Sequence, residues 1–165
     1  MALFTELCAH GLLKSAKCVF AFNKSVDVEF AFRRACIHGH LNVAKWLYKI
    51  KPSDDLNLIF WVLCKNGNLQ VIKWIFEIKP TIDVLDVIDY GLWLACRNGK
   101  LEVVKWLYSI KPTVNITFKN NRMFRWVCMN GHLKTARWLC TINDKYKITI
   151  ANGRINYTIE KRLPN

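Results

Sequence analysis

Seven cysteines and four histidines are the residues of this 165-residue chain best equipped for chemistry. Thiolates and imidazoles bind zinc, and a thiolate beside a histidine can act as a nucleophile. The spacing favours neither use. There is no Cys-x-x-Cys pair, so a zinc site has no framework. His10, His38, His40 and His132 each adjoin a glycine, and no nucleophile or carboxylate partner is suggested by spacing. No glycine-rich phosphate loop or paired-carboxylate motif appears. The sequence therefore predicts no catalytic residue, no metal and no cofactor.

The cysteines instead mark a tandem repeat. Cys8, Cys36, Cys64, Cys96 and Cys128 are each followed three residues later by a glycine: Gly11, Gly39, Gly67, Gly99 and Gly131. Leu13, Leu41, Leu69, Leu101 and Leu133 follow in step, then a basic residue (Lys17, Lys45, Lys73, Lys105, Arg137). Next comes a tryptophan (Trp46, Trp74, Trp106, Trp138), replaced by Cys18 in the first unit. A period near 30 residues decides the architecture. Each unit reads as two helices. In the first, Phe4, Phe32, Phe60, Leu92 and Phe124 stand four residues before the cysteine, on the same helical face. The glycine ends that helix. The second helix carries Leu41, Ala44, Leu47 and Tyr48 at helical spacing and stops near Pro52, Pro80 or Pro112. One helix pair cannot bury its apolar face, but a stack of pairs can.

The expectation is an all-α helical-repeat solenoid of about five helix pairs over residues 1–142, with units near 1–24, 25–52, 53–80, 81–112 and 113–142. Residues 143–165 form a C-terminal β-hairpin cap. There Tyr146-Lys147-Ile148-Thr149-Ile150 and Ile155-Asn156-Tyr157-Thr158-Ile159 alternate apolar and polar about Asn152-Gly153, a type I′ turn signal. The turn pairs Ile150 with Ile155, Ile148 with Tyr157 and Tyr146 with Ile159. The hairpin covers the last repeat or, alternatively, serves as a binding or self-association strand. Stacked helices lie about 8–10 Å apart, beyond the ~7 Å Cα separation a disulfide tolerates. The columnar cysteines are thus expected as free thiols in the core, suiting a reducing, cytoplasmic compartment. The N-terminus lacks a signal-peptide pattern, and the best apolar run, 58–64, is too short to span a membrane. Neither secretion nor membrane insertion is expected.

The segment Ala35-Cys36-Ile37-His38-Gly39-His40-Leu41-Asn42-Val43-Ala44-Lys45-Trp46-Leu47 resembles the central part of the ankyrin repeat, and 95–107 does so equally. The ending Trp-Leu-Tyr-x-Ile-Lys-Pro at 46–52 and 106–112 further resembles the divergent ankyrin repeats of giant DNA viruses. The family's Thr-Pro-Leu-His box is replaced by Phe30-Ala31-Phe32-Arg33, Leu58-Ile59-Phe60-Trp61, Tyr90-Gly91-Leu92-Trp93 and Arg122-Met123-Phe124-Arg125. Plain loops are therefore expected after the first two units, with room for a longer loop or finger around 80–89 and 112–121. The resemblance implies a non-catalytic protein-interaction module, of viral or host-interaction type, that grips a protein partner on its concave face. Mapped onto this chain, that face carries Ile37, His38, Lys65, Asn66, Arg97, Asn98, Met129 and Asn130. The alternative reading of those positions is helix-end polarity. Trp61 and Trp93 fall at the family's histidine position and are either part of that surface or core.

Net charge is +13, from 25 Lys and Arg against 12 Asp and Glu. Such a field favours an acidic protein surface, nucleic acid or anionic lipid. The resemblance places Lys17, Lys45, Lys73, Lys105 and Arg137 on the exposed side of the second helices. Lys51, Lys79 and Lys111 add a line at the helix ends. These columns would suit a phosphate backbone without reading its sequence, or they are simply a solvated helix face. A nucleic-acid-binding solenoid and a structural component of a virus particle are the alternative functions.

Overall fold

The computed structural model describes residues 2–53, 55–79, 86–114 and 116–160. Residues 80–85, most of the first stretch where a longer loop or finger is expected, and Asn115 in the second lie outside the described residues. The chain forms two compact units, Met1–Val84 and Leu85–Asn165.

The first unit holds three helix pairs: α1 (Ala2–Ala9) with α2 (Leu13–Phe22), α3 (Val28–Ile37) with α4 (Leu41–Ile50), and α5 (Leu56–Asn66) with α6 (Leu69–Ile78). The first helices α1, α3 and α5 pack as a row. Their shared face is the Phe/Cys stripe: Phe4, Phe32, Phe60, Cys8, Cys36 and Cys64 are all buried. Burying each phenylalanine contributes about 1.5–3 kcal/mol, so this stripe drives the stacking. Aspartates start two of these helices. Asp27 Oδ1 accepts from the Phe30 amide at 2.9 Å and Asp55 Oδ1 from the Leu58 amide at 3.3 Å. The second helices bury Val43, Ala44 and Leu47 in α4, and Val71, Ile72, Trp74 and Ile75 in α6. Leu41 and Tyr48, expected in the core, are only half-buried.

The tryptophan column joins one pair to the next. Trp46 lies edge-on to Phe4 at 6.2 Å and to Phe20 at 5.7 Å. Trp74 repeats this against Phe32 at 6.3 Å and Tyr48 at 5.6 Å. Each ring thus meets one aromatic from each helix of the preceding pair, in the edge-to-face geometry that ring quadrupoles favour.

The second unit holds α7 (Asp86–Arg97) with α8 (Leu101–Ile110), α9 (Phe118–Met129) with α10 (Leu133–Ile142), and a hairpin of β1 (Tyr146–Ala151) and β2 (Arg154–Ile159). The interior repeats the pattern, with Leu92, Cys96, Phe124 and Cys128 buried and Trp138 edge-on to Tyr108 at 5.4 Å. Within the stretches where longer loops were expected, the described residues 86–89 and 118–121 are already helical. Helix α7 already runs at Asp86 because Val87 and Ile88 extend the buried stripe a turn ahead of Leu92. At 111–114 the chain turns, with the Val114 amide donating to Lys111 O; the Ile116 amide donates to Val114 O. Among the described residues, β1 and β2 are the only strands.

The hairpin has the register read from the sequence: Tyr146–Ile159, Ile148–Tyr157 and Ile150–Ile155. Asn152 (φ 52°) and Gly153 (φ 70°) supply the two left-handed turn residues. Tyr146 stacks on Phe124 with centroids 4.0 Å apart, and Tyr157 meets the same ring edge-on at 5.8 Å. The Tyr146 hydroxyl donates to Asn121 Oδ1 at 2.8 Å. Burial pushes its phenol up to about 12. A lone hairpin is marginal in water; this one is held by its tyrosines against α9 and α10. The architecture is therefore the expected one: stacked helix pairs with a C-terminal two-stranded hairpin.

Candidate partner-binding surface

The ends of the first helices are built by their neighbours. In the first unit, Asn68 Nδ2 reaches back to donate to Ile37 O at 2.7 Å and Cys36 O at 3.3 Å. In the second, His132 Nε2 lies 2.9 Å from Arg97 O and must be the donor, since a carbonyl only accepts. The residue after the glycine thus closes the first helix of the preceding pair. This gives Gly99 two reasons to be glycine: its φ is +65°, and a Cβ would lie 2.5 Å from the His132 ring. The sequence reading missed this backward reach, although His40, Asn68 and His132 share one column.

Three predicted surface residues spend their amides on helix ends. Asn66 Nδ2 donates to Ile37 O at 3.3 Å, Asn98 Nδ2 to Leu94 O at 2.8 Å and Asn130 Nδ2 to Trp126 O at 2.8 Å. Ile37 is half-buried. His38, Lys65, Arg97 and Met129 are exposed, Met129 to 69%.

The remaining first-helix surface differs between the units. In the first it is ion-paired: Glu29–Arg33 at 3.0 Å, Arg33–Asp55 at 3.9 Å and Glu6–Arg34 at 4.0 Å. Ser53 Oγ also donates to Glu29 at 2.8 Å. Trp61 is half-buried on α5. In the second unit the surface is aromatic. Half-buried Trp93 stacks on Tyr90 at 5.6 Å, and the Arg97 guanidinium lies 5.3 Å from the Trp93 ring and 5.0 Å from Trp126. Tyr90 and Trp126 were not singled out from the sequence. Tyr90, Trp93 and Arg97 do fall on one helical stripe, which was the available signal.

The basic column is less uniform than its sequence pattern. Lys17, Lys45 and Arg137 are exposed, with Lys17 Nζ 6.0 Å from the Trp46 ring, while Lys73 is half-buried. Lys105 pairs with Glu102 at 3.5 Å. Of the second line, Lys111 pairs with Asp89 at 2.8 Å, Lys79 is half-buried and Lys51 is exposed. Charge is also unequal. Met1–Val84 carries eleven Lys and Arg against seven Asp and Glu, a net +4; Leu85–Asn165 carries fourteen against five, a net +9.

All seven cysteines are free thiols. Burial pushes Cys8 up to about 11, and Cys36 and Cys128 to about 12, with smaller pushes from Glu29 and Cys140 respectively. Burial raises Cys64 and Cys96 as well. A thiol held protonated is neither a nucleophile nor a ready metal ligand. Among the described residues no cluster of His, Cys, Asp or Glu could hold a metal ion, and no helix is long and apolar enough to cross a membrane.

Stacked two-helix units with a glycine between the helices and a surface of exposed first-helix ends define a repeat scaffold rather than an enclosed site. A family model describing three copies of the ankyrin repeat matches residues 60–152, and the chain belongs to the ankyrin-repeat family. Ankyrin repeats are generally protein–protein interaction modules and typically non-catalytic scaffolds. No curated protein matches the chain.

Proposed function

We propose that this protein is a non-catalytic interaction module that holds a protein partner against its first-helix surface, the concave face of its family, with 1–142 as the repeat stack and 143–165 as its cap. The observation that carries the reading is the contrast between columns. Interior positions repeat almost unchanged, whereas the position just after the cysteine holds unlike residues in the last four units: half-buried Ile37 and exposed Lys65, Arg97 and Met129. A surface that varies over a constant frame is where specificity is written. The Trp-Leu-Tyr-x-Ile-Lys-Pro endings support a giant-virus type of repeat, with a host protein as partner in the host cytoplasm. A partner recovered with the wild type should be lost on a Lys65→Glu, Arg97→Glu, Met129→Asp variant and retained on Lys45→Glu, Lys73→Glu, Lys105→Glu. The reverse pattern would sink the proposal.

The net +13 and exposed Lys17, Lys45 and Arg137 favour a second reading, nucleic-acid binding by the second helices. A salt series with labelled DNA and RNA decides it. Affinity persisting near physiological salt, with a slope of several released counterions, supports that reading; binding that vanishes below that salt removes it.

A further inference from the structure

We propose that the second unit carries a specific anchor for an acidic peptide segment: the Arg97 fork against Trp93 and Trp126, continued along α9 to a cleft of mixed polar and apolar lining at the hairpin tip. The inference rests on the protein-interaction reading and narrows it to one unit and one ligand chemistry.

Arg97 is exposed, yet its guanidinium is not loose. It lies against Trp93 on its own helix and Trp126 on the neighbouring one, at 5.3 and 5.0 Å. Tyr90 stacks on Trp93 from the turn before. No carboxylate among the described residues pairs with Arg97, in contrast to Arg33 and Arg34 of the first unit. Ring contacts fix the plane of a guanidinium while leaving its edge N–H groups unspent. Such a fork matches a carboxylate in bidentate fashion, with little rotamer entropy left to lose.

One helical turn beyond Trp126, Met129 leads into a cleft of about 650 Å³ shared by the α9–α10 turn and the hairpin tip. Its lining includes Met129, Ile150, Ile155 and Arg154, with Met129 69% and Ile150 51% exposed. Arg154, which pairs with no carboxylate among the described residues, therefore stands beside exposed apolar side chains. The surface offers a cation, then a cleft in which Met129, Leu133, Ile150 and Ile155 stand beside Asn130, Asn156 and a second cation, on the unit with net charge +9. Its complement is an extended segment with an Asp or Glu at the Trp93–Trp126 clamp and a Leu-, Ile- or Phe-type side chain in the cleft. A nucleic-acid strand fits less well. Trp93 already has Tyr90 and Arg97 against it, so base stacking would displace internal partners, and a phosphate backbone makes no use of Met129, Ile150 and Ile155.

The test is selection of a random displayed peptide library on the full-length protein, followed by fluorescence polarisation with the synthesised, labelled winners. Enriched peptides should place Asp or Glu a few residues from a large apolar side chain. Arg97→Gln should weaken them about tenfold or more, as loss of a fork to a carboxylate does. Arg97→Lys, which keeps charge and fold but not the fork, should also weaken them. Lys45→Gln with Lys73→Gln should not. Circular dichroism confirms that each variant is folded. Neutral or basic winners, or Arg97→Gln binding like wild type, would overturn the anchor and leave the protein-interaction reading standing. No enriched peptide would also overturn the anchor; if a labelled oligonucleotide then bound through physiological salt, the broader reading would fall with it.

Discussion

The first helices of Met1–Val84 meet solvent through ion pairs, Glu6–Arg34 and Glu29–Arg33–Asp55, whereas those of Leu85–Asn165 meet it through Tyr90, Trp93, Arg97 and Trp126. Beneath these unlike surfaces the interiors match. Cys36 and Cys64 in one unit and Cys96 and Cys128 in the other occupy the same buried place. The stack needs only the buried stripe, the glycine and the second-helix ring to propagate, so the outward first-helix positions are free to diverge. In the first unit both arginines are ion-paired within the unit. In the second, Arg97 is oriented by two rings and pairs with no carboxylate among the described residues, which is the condition of a binding group.

If the interior is shared, both units should fail together when it is attacked. High pH attacks it most strongly. The buried columnar thiols are raised from an ordinary 9.0, Cys8 to about 11 and Cys36 and Cys128 to about 12. Above pH 9 the unfolded chain releases protons that the folded chain retains, so stability is full below that pH and falls as pH rises toward the folded values. Each group removes up to about 1.4 kcal/mol per pH unit. Several thiols acting together would exhaust a total stability of about 5–15 kcal/mol within a few pH units. Far-ultraviolet circular dichroism should show one cooperative loss of helix above pH 9. Helix content unchanged to pH 11 would contradict the buried, protonated column.

The second largest effect tests the ring joint. Trp74 is 8% exposed and packs edge-on to Phe32 and Tyr48. Trp74→Ala should destabilise by about 3–5 kcal/mol in denaturant unfolding. A loss below about 1 kcal/mol would mean that the first-helix stripe alone carries the stacking.

How much of this was legible in the sequence follows from the range of the forces involved. The Phe/Cys stripe, the glycine stops and the hairpin register are local periodicities, and each could be read from one segment. The Trp93–Arg97–Trp126 contact joins helices 29 residues apart and depends on how α7 lies against α9. Periodicity could mark Trp93 and Arg97 but could not bring Trp126 to them. The loops failed for a related reason. Val87 and Ile88 read as loop residues in sequence, yet they lie in the first turn of α7 and enter the core there. Asn66, Asn98 and Asn130 are polar, as a recognition surface would be, yet they are one repeated residue that finishes helix ends.

Two glycines separate backbone strain from packing. Gly131 (φ +73°) has open space where a Cβ would sit, whereas Gly99 has the His132 ring there. Gly131→Ala should cost about 1–2 kcal/mol for the left-handed conformation alone. Gly99→Ala adds displacement of the His132 ring and loss of its bond to Arg97 O, about 1 kcal/mol more. Equal losses in urea unfolding would show that the backward histidine contact contributes nothing. A change of opposite sign is expected at Thr135. It is 1% exposed with its hydroxyl unpartnered, in a column that holds Val43, Val71 and Val103 elsewhere. Thr135→Val should raise stability by about 1 kcal/mol; a loss would mean that the hydroxyl has a partner, such as a buried water.

The smallest effect bears most directly on the contrast between the units. Exposed ion pairs are worth about 0–1 kcal/mol each and weaken as salt rises. The first unit, with three such contacts among its first helices and net +4, should lose a few tenths of a kcal/mol when salt is raised. The second, at net +9, should gain about as much as its self-repulsion is screened. Amide hydrogen exchange read separately for α3–α5 and α8–α10, at low and high salt, measures both shifts in one sample. Opposite signs would establish that the units differ in how their surface charge is held, and would place the uncompensated positive field on the unit that carries Arg97. Shifts of the same sign would mean that the ion pairs on the first unit do not set its response, and the electrostatic half of the contrast would collapse, leaving only the difference in aromatic surface.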